Sequence, residues 1–265
     1  MIEKTELVLR AIKRWMAENW LALNDDKTEL MVISTRQQCS LLKDLSINIG
    51  CTTINPNNNI RNLGVIFDSS FQMNSHVSHI CKKAYLAIRS IGQIRKFLDK
   101  SSTEKLINSL ITSHLDYCNS LLYLLPAIHM KRLQRIQNTA ARIILRVGKF
   151  EHITPSLITL HWLLISRRIE YKILLFTYKA LNDAAPSYIS DMLNVHKSVR
   201  PLRSRSHVEL VVPKTRLRTF GDKSFEKAAP ELWNALPESV KCAESINLFK
   251  KRLKTHLFRL AYESD

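Results

Sequence analysis

From Val77 to Leu98 the apolar residues Val77, Ile80, Ala84, Ala87, Ile91, Ile94 and Leu98 step by three or four positions. That period is helical and gathers them on one face. Lys82, Arg89 and Lys96 recur every seven residues and so share a different face. A long helix with an apolar stripe must bury that stripe against other elements, and here it presents cations on another side. The stretch "STEKLINSLITSHLDYCNSLLYLLP" predicts a second helix ending at Pro126, with Ser102 or Thr103 as cap and Glu104 in the first turn. "HMKRLQRIQNTAARIILRV" predicts a third, with Leu133, Ile136, Ala140, Ile143 and Val147 on one stripe. Lys131, Arg135, Arg142 and Arg146 fall on its other side, and no acid occurs between Asp116 and Glu151 to neutralise them.

Upstream the pattern is mixed. Residues 3–21 read as an amphipathic helix through Leu7, Ile12, Trp15 and Leu21, broken by "NDD". "TELMVIS" then reads as a strand. "LSINIG" and "CTTI" read as a hairpin around Gly50, and "IRNLGVIFD" as a further strand in which Gly64 marks a bulge or a close backbone approach. Downstream of Pro155 come the helical "SRRIEYKILLFTYKALN", a short helix after Pro186, and a closing helix "SINLFKKRLKTHLFRLAY". Between them, His196 to Arg218 holds seven Lys and Arg against one Glu, around the strand-like "HVELVVP". The fold class expected is α+β, predominantly helical: a small β-containing start, then a helical basic remainder.

Charge narrows the function. Forty Lys and Arg against 23 Asp and Glu give a formal +17. Such an excess, patterned onto helix faces, favours a phosphate polyanion through counterion release. The five cysteines are scattered with no CxxC. That predicts reduced thiols in an intracellular protein, nuclear or cytoplasmic, without a disulfide framework or zinc ribbon. No apolar run reaches the 18 or so residues of a membrane span, so no membrane partner is expected.

Catalytic constellations are poor. Asp25 and Asp26 invite comparison with a polymerase aspartate pair, which needs a strand turn and a third carboxylate from another strand to hold two metal ions. Here the pair follows a helix and only Glu3, Glu6 and Glu18 precede it, so a helix-ending Asx turn is expected. Lys27, at the start of the following strand, is the candidate general acid. His76 and His79 lack a second ligand pair at zinc spacing, so no metal site is expected. GxGxxG, GxxxxGK[ST], HExxH and GxSxG are absent from the sequence.

Several stretches resemble the reverse transcriptases of non-LTR retrotransposons (LINEs). "WLALNDDKTELMVIS" resembles the fourth palm motif, in which a helix ending in "LN" precedes a lysine and a strand. "IRNLGVIFDSSFQMNSHVSHICKKA" is similar to the primer-grip hairpin leading into the thumb, and "STEKLINSLITSHLDYCNSLLYLLP" and "MKRLQRIQNTAARIIL" to thumb helices. "PLRSRSHVELVVPKTRLRTFGDKSFEKAAPELWNALPESV" with "FKKRLKTHLF" resembles the tail of jockey-like and chicken-repeat-like elements, and is the most specific part.

The resemblance implies a palm remnant over 1–72, a helical thumb over 73–150 and a basic helical C-terminal domain over 151–265. It implies RNA-directed DNA polymerase activity for the parent family, using magnesium. The family's three palm aspartates would precede Met1, so this chain by itself is expected to be inactive and to hold no cofactor. Lys27 matches the family's lysine but lacks the carboxylates it would work beside. A thumb holds template–primer duplex by its backbone, with no base readout. The candidate phosphate ligands are therefore Lys82, Lys83, Arg89, Lys96, Arg132, Arg135, Arg142 and Arg146, and the partner is RNA or RNA–DNA duplex of any sequence. Trp162, Trp233 and Phe249 are expected in a C-terminal core, where Gly221 and Pro230 punctuate segments anchored by Phe225, Leu232 and Trp233. The alternative is a free-standing helical nucleic-acid-binding or interaction protein derived from such an element.

Overall fold

The computed structural model describes residues 2–34, 45–49, 52–196, 208–217 and 220–263. Helices predominate, joined by two two-stranded antiparallel sheets. The chain divides into two compact units, Met1–His76 and Val77–Asp265.

In the first unit, α1 (Ile2–Glu18) packs against β1 (Ile47–Ile49), and the Glu6 carboxylate accepts from Asn48 N at 2.9 Å. Its expected apolar face stays exposed: α1 buries no residue, and Trp20 beyond its end is 98% exposed. The Asx turn is made by Asn24. Asn24 Oδ1 accepts from Lys27 N at 3.0 Å, and residues Asp25–Lys27 form one 3-10 turn. The strand expected over "TELMVIS" reduces to a single parallel bridge, Leu30 with Pro56.

The hairpin expected around Gly50 forms from β1 and β2 (Thr52–Ile54), with Ile47 opposite Ile54. Gly50 itself lies outside the described residues. The single strand expected from "IRNLGVIFD" is instead a second hairpin, β3 (Asn59–Asn62) with β4 (Val65–Asp68). Leu63 and Gly64 make its two-residue turn with φ of 46° and 88°, so Gly64 is a turn residue and not a bulge.

Asp68 ends β4 and organises the next helix, α2 (Asn74–Ile94). Its carboxylate accepts from Ser70 Oγ at 2.7 Å, Gln72 N at 2.8 Å and Asn74 N at 3.2 Å. Asp68→Ala leaves these donors without an acceptor and is expected to cost about 1–3 kcal/mol. Urea unfolding measures it, and a cost under about 0.5 kcal/mol would show that water replaces the carboxylate.

In the second unit, the C-terminal part of α2 buries Ile80, Ala84 and Ile91 as its spacing predicts. The helix tightens to a 3-10 turn at Arg95–Phe97, which leaves Ile94 45% exposed. The helix expected from Ser102 to Pro126 is broken. α3 (Lys100–Ile107) is capped by Asp99, whose side chain accepts from Ser102 N at 2.8 Å, and not by Ser102 or Thr103. A π-helical turn, Asn108–Thr112, leads into α4 (Ser113–Asp116), and Cys118 in the left-handed region (φ 50°) ends the run.

α5 (Ala127–Leu145) packs on α3 and buries Leu133, Ile136 and Ala140 as expected. Farther along, its inward face is Ala141 and Ile144, with Ile143 and Val147 half-buried. The buried Gln137 amide explains the rotation: its Nε2 donates to Leu163 O at 2.9 Å and fixes that side inward. α6 (Thr154–Thr159) and α7 (Ile165–Leu181) both pack on α5, across the boundary placed after residue 150 from sequence.

α7 is the hub of the remainder. α8 (Ser187–Ser190), α9 (Phe225–Asn234) and α11 (Ile246–Tyr262) pack on it, while α10 (Glu238–Lys241) packs on α11. Trp162, Trp233 and Phe249 are buried, as expected of core aromatics. Pro230 does not punctuate: it lies inside α9 and is buried. Over the described residues 208–213, the strand expected from "HVELVVP" reduces to a single antiparallel bridge, Val195 with Leu210, and α9 side chains take further backbone groups. Asn234 accepts from Leu210 N at 3.0 Å and donates to Leu210 O at 2.8 Å, while Trp233 Nε1 donates to Val208 O at 2.9 Å. Gly221 has no room for a side chain, since a Cβ there would sit 2.6 Å from that of Thr215.

Tyr262 ties the end of α11 to Trp162, donating to its carbonyl at 2.7 Å. Burial pushes its phenol up from 10.0 to about 12. The folded-state value exceeds the unfolded one, so the contribution is complete below pH 10 and is lost as pH rises through 12. The stability difference between wild type and Tyr262→Phe should therefore shrink, then reverse in favour of phenylalanine, between pH 9 and 12. A difference constant with pH would show that the phenol ionises alike in both states.

Candidate nucleic-acid interface

The stripe that α2 turns inward fixes what it turns outward. Lys82, Lys83 and Arg89 are exposed on α2, and Lys96 is exposed in the turn after it. None of the four is paired with a carboxylate among the described residues. The Lys96 ammonium lies 4.8 Å from the Phe97 ring centroid, and that ring is itself 77% exposed. On α5, Lys131 and Arg135 are exposed in the same way.

The other three candidates are held within the fold. Arg132 is half-buried and donates to Ser78 Oγ of α2 at 3.2 Å. It also touches Cys81: burial raises that thiol's pKa, and the Arg132 charge opposes the rise. Arg142 donates to the carbonyls of Gly148 at 3.1 Å and Glu151 at 2.7 Å, closing the loop after α5. Arg146 caps α5 in the left-handed region (φ 57°), with a guanidinium nitrogen 3.5 Å from the carbonyls of Arg95 and Leu98.

Arg95 was not singled out from sequence, yet it anchors the pair. It donates to Leu98 O at 2.6 Å, Ile143 O at 2.7 Å and Ile144 O at 2.9 Å, taking up carbonyls that the end of α5 leaves open. Arg132 links the starts of α2 and α5, and Arg95 links their ends, so the two helices run parallel. The only sequence signal for Arg95 was a cation at a helix end.

A second cationic element also escaped the sequence reading. α11 exposes Lys251, Arg252 and Lys254, and has no acid before Glu263, which Arg259 faces at 3.7 Å. Arg252 donates to Ser239 O at 2.8 Å, which leaves the two lysines unengaged. The connection 197–207, basic in sequence, lies outside the described residues.

Among the described residues, no cluster of carboxylates lies with Lys27. Its side chain is exposed beyond the Asn24 turn, and no group of three His, Cys, Asp or Glu among the described residues could hold a metal ion. His76 is buried, with Nδ1 3.4 Å from Ile66 N. Among the described residues no helix is long and apolar enough to cross a membrane. No protein-family profile, no curated protein and no solved structure matches the chain.

Proposed function

We propose that this chain is the template–primer-holding, C-terminal part of a LINE-type RNA-directed DNA polymerase. It grips RNA or RNA–DNA duplex through backbone phosphates, without reading bases. One observation carries the reading: Lys82, Lys83, Arg89, Lys96 and Arg135 stand exposed, with no carboxylate partner among the described residues, on or beside two helices that Arg95 and Arg132 link. Cations in that state are free to displace counterions from phosphates. Lysines and arginines aligned on helix faces suit backbone contact more than sequence recognition. The two β-hairpins and the Lys27 turn stand in this reading for the palm and primer grip.

In this reading the chain's described residues contribute binding and positioning. Two RNA–DNA hybrids of equal length and unrelated sequence should therefore bind within about threefold of each other in fluorescence anisotropy. Discrimination of a hundredfold or more would replace backbone contact with base readout. The purified chain should extend no primer on an RNA template with magnesium or manganese. Extension abolished by Lys27→Ala would overturn the assignment.

A further inference from the structure

The second unit contains a cavity of about 400 Å³ that the cations of α2 and α5 do not line. The π-helical turn supplies Asn108 and Thr112 to its wall, the following turn Asn119, the α6–α7 connection Trp162, and α7 and α11 supply Lys172 and Lys254. A turn with one residue more than an α-helical turn recurs at functional sites, because it re-aims side chains.

Three features define what would fit. Asn119 is only 3% exposed, and its Oδ1 has no hydrogen-bond partner. A buried acceptor left open calls for a donor. Lys172 and Lys254 have no carboxylate partner among the described residues. The one acid on the wall, Asp116, is taken by Arg168, whose Nε donates to it at 2.8 Å and whose second nitrogen engages the other oxygen. Two positive charges thus remain uncompensated. The rest of the wall mixes aromatic rings, Trp162 and Tyr171, with the Asn108 amide, and the volume is that of a small-molecule site.

We propose that this cavity binds a ribonucleoside monophosphate unit. Lys172 and Lys254 take the phosphate as point charges, the exposed Asn108 amide on the wall hydrogen-bonds a ribose hydroxyl or the base, and the aromatic side chains border the base. The unit is either a free nucleotide or the phosphorylated end of an RNA strand, since both offer the same chemistry. The cavity is independent of the α2 and α5 cations, so this proposal and the duplex reading fail separately.

Isothermal titration of the full chain with AMP should show saturable one-to-one binding. Adenosine or inorganic phosphate alone should bind at least about tenfold more weakly. Lys172→Ala with Lys254→Ala should lose at least about tenfold in AMP affinity at an unchanged melting temperature, since both side chains reach the surface. A variant carrying Lys82→Gln, Lys83→Gln and Arg89→Gln should bind AMP as wild type does. Competition by a 5′-phosphorylated RNA strand, and not by its 5′-hydroxyl counterpart, assigns the site to strand ends. Failure of both strands to compete assigns it to the free nucleotide. No saturable AMP binding at millimolar concentration, binding indifferent to the two lysines, or binding lost in the α2 variant overturns the proposal.

Discussion

Phe249→Ala is expected to destabilise the Val77–Asp265 unit by about 3–5 kcal/mol and lower its melting temperature by about 6–20 °C. Phe249 is 0% exposed. Its ring stacks on Tyr178 at 4.1 Å and meets Trp233 at 6.0 Å. It therefore joins α7, α9 and α11 at one point, while Tyr178 Oη donates to Ala243 O at 2.8 Å beside it. Removing the ring loses the transfer free energy of a large apolar group and leaves a cavity that three helices cannot all close upon. Net stabilities run to only about 5–15 kcal/mol, so the loss is a large share of the total. Phe97→Ala, which deletes an exposed ring, should change stability by less than about 0.5 kcal/mol. Differential scanning calorimetry on both variants checks the pair. Equal effects would mean that the aromatic cluster does not hold the bundle.

The largest effect on binding should come from the free cations. Replacing Lys82, Lys83, Arg89, Lys96 and Arg135 together by glutamine should weaken binding to an RNA–DNA hybrid about a hundredfold or more at 0.1 M salt. Each lost phosphate contact removes about 0.9 from the slope of log affinity against log salt. Arg142→Gln is the informative control, because that guanidinium is spent on the carbonyls of Gly148 and Glu151. It should lower stability by about 0.5–1.5 kcal/mol, the net value of hydrogen bonds to exposed carbonyls, and leave the slope unchanged. A fivefold-substituted protein that binds as wild type does, or an Arg142→Gln slope that falls like the others, would remove the free-cation interface.

The α2 face was legible in sequence because a strict alternation of three and four leaves one geometry for a helix. Where that alternation ends, at Ile94, the backbone tightens, and period alone does not show it. The break after α3 was hidden for a different reason. A π-helical turn has no residue signature, and Cys118 adopts a left-handed conformation without the glycine that usually announces one. Leu63 does the same in the β3–β4 turn, so Gly64 by itself read as a bulge. Charge pattern placed Lys82, Lys83, Arg89 and Arg135 at what prove to be exposed positions of α2 and α5, but also named Arg132 and Arg142, which are half-buried. It could not tell Arg135, left free, from Arg142, captured by carbonyls nine or fewer residues away. The cavity was beyond the sequence altogether, since Asn119, Lys172 and Lys254 meet only once α7 and α11 have packed.

In the proposed function, five exposed cations grip phosphates without regard to sequence. The dependence of hybrid affinity on salt tests it most directly. Between about 50 and 200 mM salt the log–log slope should lie near −4 to −5, five contacts at about 0.9 each. A slope shallower than about −1 would contradict it.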